Sequence, residues 1–268
     1  MPNAPLPFAL TLRLPIYLEQ ATLIVEAVAQ DDPEGPPQAD DYAATAEVVA
    51  LFGQAIDWQL LTQLGSLGRG SSATLIAQTW EEDLPGWRFA LTVTGFLSEA
   101  LRVLLAMLVQ THHAFEPLAR VTVSSDSAAP AVAALEAGWL GRPGYPPRPV
   151  VLPFRMTPAD PHDWPEPGTR FSVWFEFEQT LPTAARTGFT EGLNVWDHLL
   201  VLGGFSQDYH EAEELDDMGD IVCETPSSIR HDAVRVGTDD ADINALLNLA
   251  NAAHAAGARI DTVRIEAD

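Results

Sequence analysis

The chain repeats itself, and the length of the repeat limits its fold more than any other feature. Trp58-x-x-Leu61-x-x-Leu64-Gly65-x-Leu67 returns as Trp196-x-x-Leu199-x-x-Leu202-Gly203-x-Phe205. Residues 80–126 lie on residues 222–268 at a constant offset of 142 without a gap. Along that line Glu82 meets Glu224, Arg88 meets Arg230, Gly95 meets Gly237, and His112 meets His254. Solenoid repeats run to roughly 20–50 residues. A period this long therefore predicts a duplicated domain: a first unit over 1–126, a linker over 127–148 and a second unit over 149–268.

Each unit shows the same succession of patterns. A short extended segment comes first (8–13; 150–155). A second strand follows (22–29; 171–178), where Phe171, Val173, Phe175 and Phe177 alternate with Ser172, Trp174, Glu176 and Glu178. That period of two marks a strand with one buried face. A helix is expected over 42–64 and 183–202, from the stripe Val48, Leu51, Phe52, Ala55, Ile56 and its counterpart Phe189, Leu193, Trp196, Leu200. Gly65 and Gly203 stand where a helix C-cap belongs. A hairpin, a second helix (97–113; 240–256) and a last strand (120–124; 262–266) complete each unit. The order β-α-β-β-α-β predicts an α+β fold: a tandem duplication of a ferredoxin-like sandwich, each repeat with an extra N-terminal strand. If so, helices cover one face of each sheet. The open faces, with Trp174 on one of them, are expected to pack together. Trp58 and Trp196 are expected in the core between helix and sheet.

Composition narrows the function. The 47% hydrophobic content supports a real core. The 38 acidic residues outweigh 14 basic ones, every one an arginine, for a net charge of −24. Such a surface repels phosphates and anionic lipids, so neither nucleic acid nor membrane is an expected partner. Without lysine there is no Schiff base, no Walker-type phosphate lysine and no lysine general base. The lone Cys223 suggests a reducing compartment. The first 14 residues lack signal-peptide character. The nearest approach to a membrane span, Val103–Val109, is far too short. A cytoplasmic protein is expected.

Motifs with chemical meaning are few. Gly65-x-x-Gly68-x-Gly70-Ser71-Ser72 has the composition of a phosphate loop but follows a helix and precedes a strand, the reverse of the context that aims N–H groups at phosphate. His112 and His254 extend the apolar stripes of their helices near the C-terminus, where an imidazole can hydrogen-bond free carbonyls or complement the helix dipole. Cys223 and His231 flank a predicted hairpin turn in acidic surroundings unsuited to a thiolate. Asp160, His162, Asp163, Trp164 and Glu166 form a polar, Pro-rich loop. No cofactor or metal site is expected.

Two acidic insertions distinguish the otherwise matching units. One holds Asp31, Asp32, Asp40 and Asp41. The other holds Asp208, Glu211, Glu213, Glu214, Asp216, Asp217 and Asp220, with no arginine from 206 to 229. Loops that vary on a repeated scaffold are where function concentrates. The leading expectation is a non-catalytic, acidic protein-binding module of a bacterial cytosol, of inhibitor, immunity or antitoxin type, presenting these carboxylates to a basic protein. The alternative is a small-molecule-sensing regulatory protein with its ligand between the repeats. A third is a carboxylate- or metal-dependent enzyme.

Overall fold

The structure, a computed structural model, describes residues 6–30, 43–61, 70–81, 86–127, 146, 149, 151–205, 219–235 and 240–267. The first half runs β1 (Ala9–Arg13), β2 (Tyr17–Ala29), α1 (Ala43–Asp57), β3 (Ser72–Glu81), β4 (Gly86–Leu97), α2 (Leu101–Ala114) and β5 (Leu118–Ser125). The second runs β6 (Arg155–Thr157), β7 (Arg170–Phe177), α3 (Thr183–Val201), β8 (Ile221–Thr225), β9 (Ser228–Val234), α4 (Ala241–Ala255) and β10 (Ile260–Ala267). The protein is α+β, with two five-stranded mixed sheets ordered β1-β5-β2-β4-β3 and β6-β10-β7-β9-β8. Neighbours are antiparallel except β1 with β5 and β6 with β10.

The sheets are one-sided, as strand alternation requires. Phe171, Val173 and Phe175 are fully buried, whereas the intervening Ser172 and Trp174 are half-buried and Glu176 is exposed. On β2, Leu23, Val25 and Ala27 face the core. The helices explain what lies on that side. In α2, every residue from Val103 to Val109 is buried, and in α4 every residue from Ala241 to Ala250. A helix buried all round is covered from two directions. Here one cover is its own sheet and the other is the opposite half. Asn248 of α4 donates to the Leu60 carbonyl across the boundary (3.3 Å). A Cβ on Gly204, just past α3, would come within 3.0 Å of Val103 on α2. The order of layers is sheet, helices, helices, sheet. This corrects the expectation that the open sheet faces meet. The face bearing Trp174 is instead covered by its own side chains, with the guanidinium carbons of Arg230 and Arg264 at 5.4 and 4.9 Å from the ring centroid. Arg230 also pairs with Glu224 (3.1 Å) and Asp232 (3.3 Å). Cations over an aromatic face, themselves paired, let a tryptophan stand on a solvent-side sheet.

Local chemistry sets the ends of the elements. The first turn of α1 is capped from far away: Glu116 accepts the N–H groups of Ala44 (2.9 Å) and Thr45 (3.0 Å) and the Thr45 hydroxyl (2.6 Å). A carboxylate there satisfies orphan donors and complements the helix dipole. The two repeated histidines do one job. His112 Nδ1 accepts the N–H of Leu118 (2.9 Å), and His254 Nδ1 that of Ile260 (3.1 Å), each pinning the start of the last strand to the end of the preceding helix. Phe8 and Phe154 lie against the two rings at 6.2 and 6.1 Å. The imidazoles thus accept from a strand N–H rather than donate to helix carbonyls. Burial holds the His112 pKa below its ordinary value, and neighbouring His113 adds to the effect. Asp126 closes the first sheet, its carboxylate accepting the Thr22 N–H (2.8 Å), a bond that lowers its pKa.

Candidate functional site

The repeated tryptophan motif diverges in three dimensions, and the divergence builds a cleft. Trp196 lies inside α3, fully buried, edge-on to Phe171 and donating to the Asp242 carbonyl (2.8 Å). Trp58 does not share that environment. Helix α1 stops at Asp57, well short of the expected 64, because Gln59 takes a left-handed backbone (φ 63°). Such a φ is uncommon outside glycine and needs support. The support is the Gln59 amide: Oε1 accepts the Ser71 N–H (2.9 Å), while Nε2 donates to the carbonyls of Ser71, Asp57 (3.2 Å) and Ile56 (3.3 Å). Turned out of the helix, Trp58 is half-buried and reaches the other half. It lies against Gly188 and Gly192, one turn apart on α3. A Cβ on Gly188 would sit 3.6 Å from the indole. On Gly192 it would be 3.2 Å from the indole and 2.6 Å from Leu249. The missing side chains make room for the ring.

Beside Trp58 opens a cleft of about 760 Å³. Its floor and walls are apolar, with Leu181, Ala185 and Phe189 from the α3 side and Leu249, Ala253 and Ala256 from α4 and its end. Polar groups stand at its edges: Asp57, Gln59 and Gln179. Small-molecule sites are typically concavities of roughly 300–1,000 Å³, mostly apolar with a few placed polar groups. The cleft has that size and character.

Most of the acidic residues singled out from sequence are not among the described ones. Asp208, Glu211, Glu213, Glu214, Asp216 and Asp217 fall outside the described residues, as do Asp31, Asp32, Asp40 and Asp41. Asp220 is described. Its side chain is exposed, and its carbonyl accepts the Asp232 N–H (3.1 Å). Gly65 and Gly68 are also outside, while Ser71 is buried against Gln59. Cys223 is exposed on β8, and His231 pairs across the ladder with Ile221 instead. In the Pro-rich loop, Asp160 accepts the His162 N–H (3.0 Å) and Trp164 is buried, donating to the Pro158 carbonyl (3.2 Å); the loop is anchored, not open. Among the described residues, no three histidine, cysteine or carboxylate side chains are placed to hold a metal ion. No described helix is long and apolar enough to cross a membrane.

The second half carries a buried polar cluster where the equivalent described positions of the first half are apolar. Where the first half has buried Phe89, Val93, Ala100 and Ala106, the offset of 142 places His231, Arg235, Asp242 and Asn248. His231 is wholly buried, its Nε2 3.4 Å from an Asp197 oxygen and its ring 5.5 Å from Trp196. Arg235 bonds to Asp240 (2.6 Å) and the Pro165 carbonyl, and lies 3.8 Å from Asp242. Buried charges are tolerated when paired in this way. The cluster ties β9 to α3, to the start of α4 and to the loop before β7. With His231 turned to Asp197 and Cys223 on an exposed edge, it presents no nucleophile–base pair.

No protein-family model matches the chain, and no curated protein or solved structure matches it.

Proposed function

We propose that this protein is a non-catalytic binding protein whose ligand is a small, largely apolar molecule held in the cleft between its two halves. The observation that carries this is the Trp58 arrangement. A left-handed, heavily bonded Gln59 and two helix glycines together hold an indole beside an apolar cavity of about 760 Å³. Strain and glycines inside a helix both cost stability, and such costs concentrate at ligand sites. We take each half to be a ferredoxin-like βαββαβ unit with one added strand, the two having arisen by duplication. Supporting this are the matching strand orders, the matching His112 and His254 contacts, and the ungapped offset.

A neutral apolar dye, N-phenyl-1-naphthylamine, tests the site. Its fluorescence should rise on mixing with the protein. Gly188→Leu and Ala185→Phe, which push side chains into the cleft, should each abolish the rise. Dye binding that survives both substitutions in folded protein would remove the cleft from consideration.

A second reading, docking of a basic protein partner on the acidic surface, has one described observation in its favour. A groove of about 660 Å³ at the β8–β9 turn carries Glu176, Glu178 and Asp261. Carboxylates so placed would steer a cationic partner, and the charge of the acidic stretch 211–217 would add to the attraction. Neutralising Glu211, Glu213, Glu214, Asp216 and Asp217 to Gln or Asn should then slow association and flatten its salt dependence without lowering stability. An unchanged on-rate would count against the reading.

A further inference from the structure

We infer that the ligand of the cleft is a hydrophobic monocation, an apolar body bearing one ammonium group; this rests on the cleft being a ligand site. Three features converge on a positive head group at one end of the cavity. Asp57 is the only charged residue among the described ones lining it, and its side chain is exposed. It is the last residue of α1, where the helix presents the negative end of its dipole. The indole of Trp58 follows directly, and an aromatic face attracts a cation. The amide of Gln59 is committed to Ser71, Ile56 and Asp57, so it holds the corner without competing for the head group. The rest of the lining, from Leu181 to the alanines of α4, is apolar apart from the neutral amide of Gln179 and carries no second charged side chain. A molecule with an ammonium beside Asp57 and Trp58 and its carbon skeleton along α4 meets a carboxylate with its charge and apolar side chains with its body. An anionic head would meet a carboxylate, a helix C-terminus and a molecule of net charge −24.

The test uses three probes with one apolar body: 1-naphthylmethylamine, 1-naphthalenemethanol and 1-naphthylacetate. Affinities for the full-length protein are measured by calorimetry at low salt. The amine should bind about fivefold tighter than the alcohol, the scale of a part-exposed ion pair, and the acetate should bind weakest. Asp57→Asn should abolish the amine's advantage over the alcohol, the ratio of the two affinities being the readout. Glu47→Gln makes the same change of charge on the exposed face near the start of α1, about 15 Å along the helix, and should leave the ratio as it was. If the alcohol binds but the amine gains nothing over it, or the acetate binds best, the cationic class is wrong and the cleft stands. If the ratio falls equally in Glu47→Gln, overall charge and not Asp57 is responsible, and the inference is overturned. If none of the three binds while the variants remain folded, the cleft itself is not a ligand site.

Discussion

His112 and Glu116 show how much single polar groups carry in this fold. His112 holds the start of β5 through an unprotonated Nδ1, and burial keeps its folded pKa below the unfolded value. The unfolded chain therefore takes up the proton first. The stability His112 contributes is complete above about pH 6.5, the unfolded value, and is lost as pH falls through the folded pKa. Melting temperature should decline below pH 6.5 more steeply in the wild type than in His112→Asn, whose amide oxygen can accept the same N–H but does not titrate. Parallel declines would show that His112 is not the group responsible. Glu116 serves three donors at the start of α1 from a position 71–72 residues away. Glu116→Ala leaves the buried N–H and hydroxyl of Thr45 without their acceptor, which should cost about 1–3 kcal/mol in chemical denaturation. A loss below half a kilocalorie would mean water replaces the carboxylate freely.

At the scale of elements, the glycines of α3 separate intrinsic propensity from packing. Either one replaced by alanine gains roughly 1 kcal/mol of helix propensity. At Gly188 the new Cβ meets the indole at 3.6 Å, an ordinary contact. At Gly192 it meets Leu249 at 2.6 Å and the indole at 3.2 Å. Leu249 is 1% exposed and has little room to retreat, so overpacking of about 1–3 kcal/mol should offset or exceed the gain. Gly188→Ala should thus be at least as stable as wild type, and Gly192→Ala less stable than Gly188→Ala. The reverse order in urea denaturation would mean the α3–Trp58 contact is looser than described. Helix α2 makes the complementary point. Its run Val103–Val109 is too apolar for a helix with one wet face, and the structure gives it cover on two sides.

For the molecule as a whole, the helix-to-helix boundary determines how it unfolds. The buried apolar side chains form one connected core running through both halves. Separating the halves would expose the sides of α2 and α4 that the opposite half now covers. The full chain should therefore unfold in a single transition, coincident by circular dichroism and tryptophan fluorescence. Residues 149–268 alone should not show a cooperative one. Two resolved transitions would instead mark the halves as independent. The net charge of −24 opposes compaction throughout, so added salt should raise the melting temperature by screening self-repulsion.

The sequence alone determined most of the strands and helices, because that information is local. Phe171 to Phe177 alternate with a period of two and form β7, and Gly203 ends α3 with φ 69°. The offset of 142 likewise placed His112 and His254 at equivalent positions, but the strand N–H each one accepts came only with the structure. Some bounds moved, as with α1, which ends at Asp57 just before the left-handed Gln59, and the strand expected over 150–155 forms instead at Arg155–Thr157, where it pairs with β10. Tertiary structure decided which faces meet. Nothing in a hydrophobic stripe says whether its second neighbour is a sheet or another helix. The pairs that settle it, Trp58 with Gly192 and Leu60 with Asn248, lie far apart in the chain. The cleft was hidden for the same reason. Its walls come from the end of α1, the start of α3 and the end of α4, and Trp58 carries the same motif as the buried Trp196. One signal was present: Gly188 and Gly192 stand four apart in a helix that gains nothing from glycine on its own.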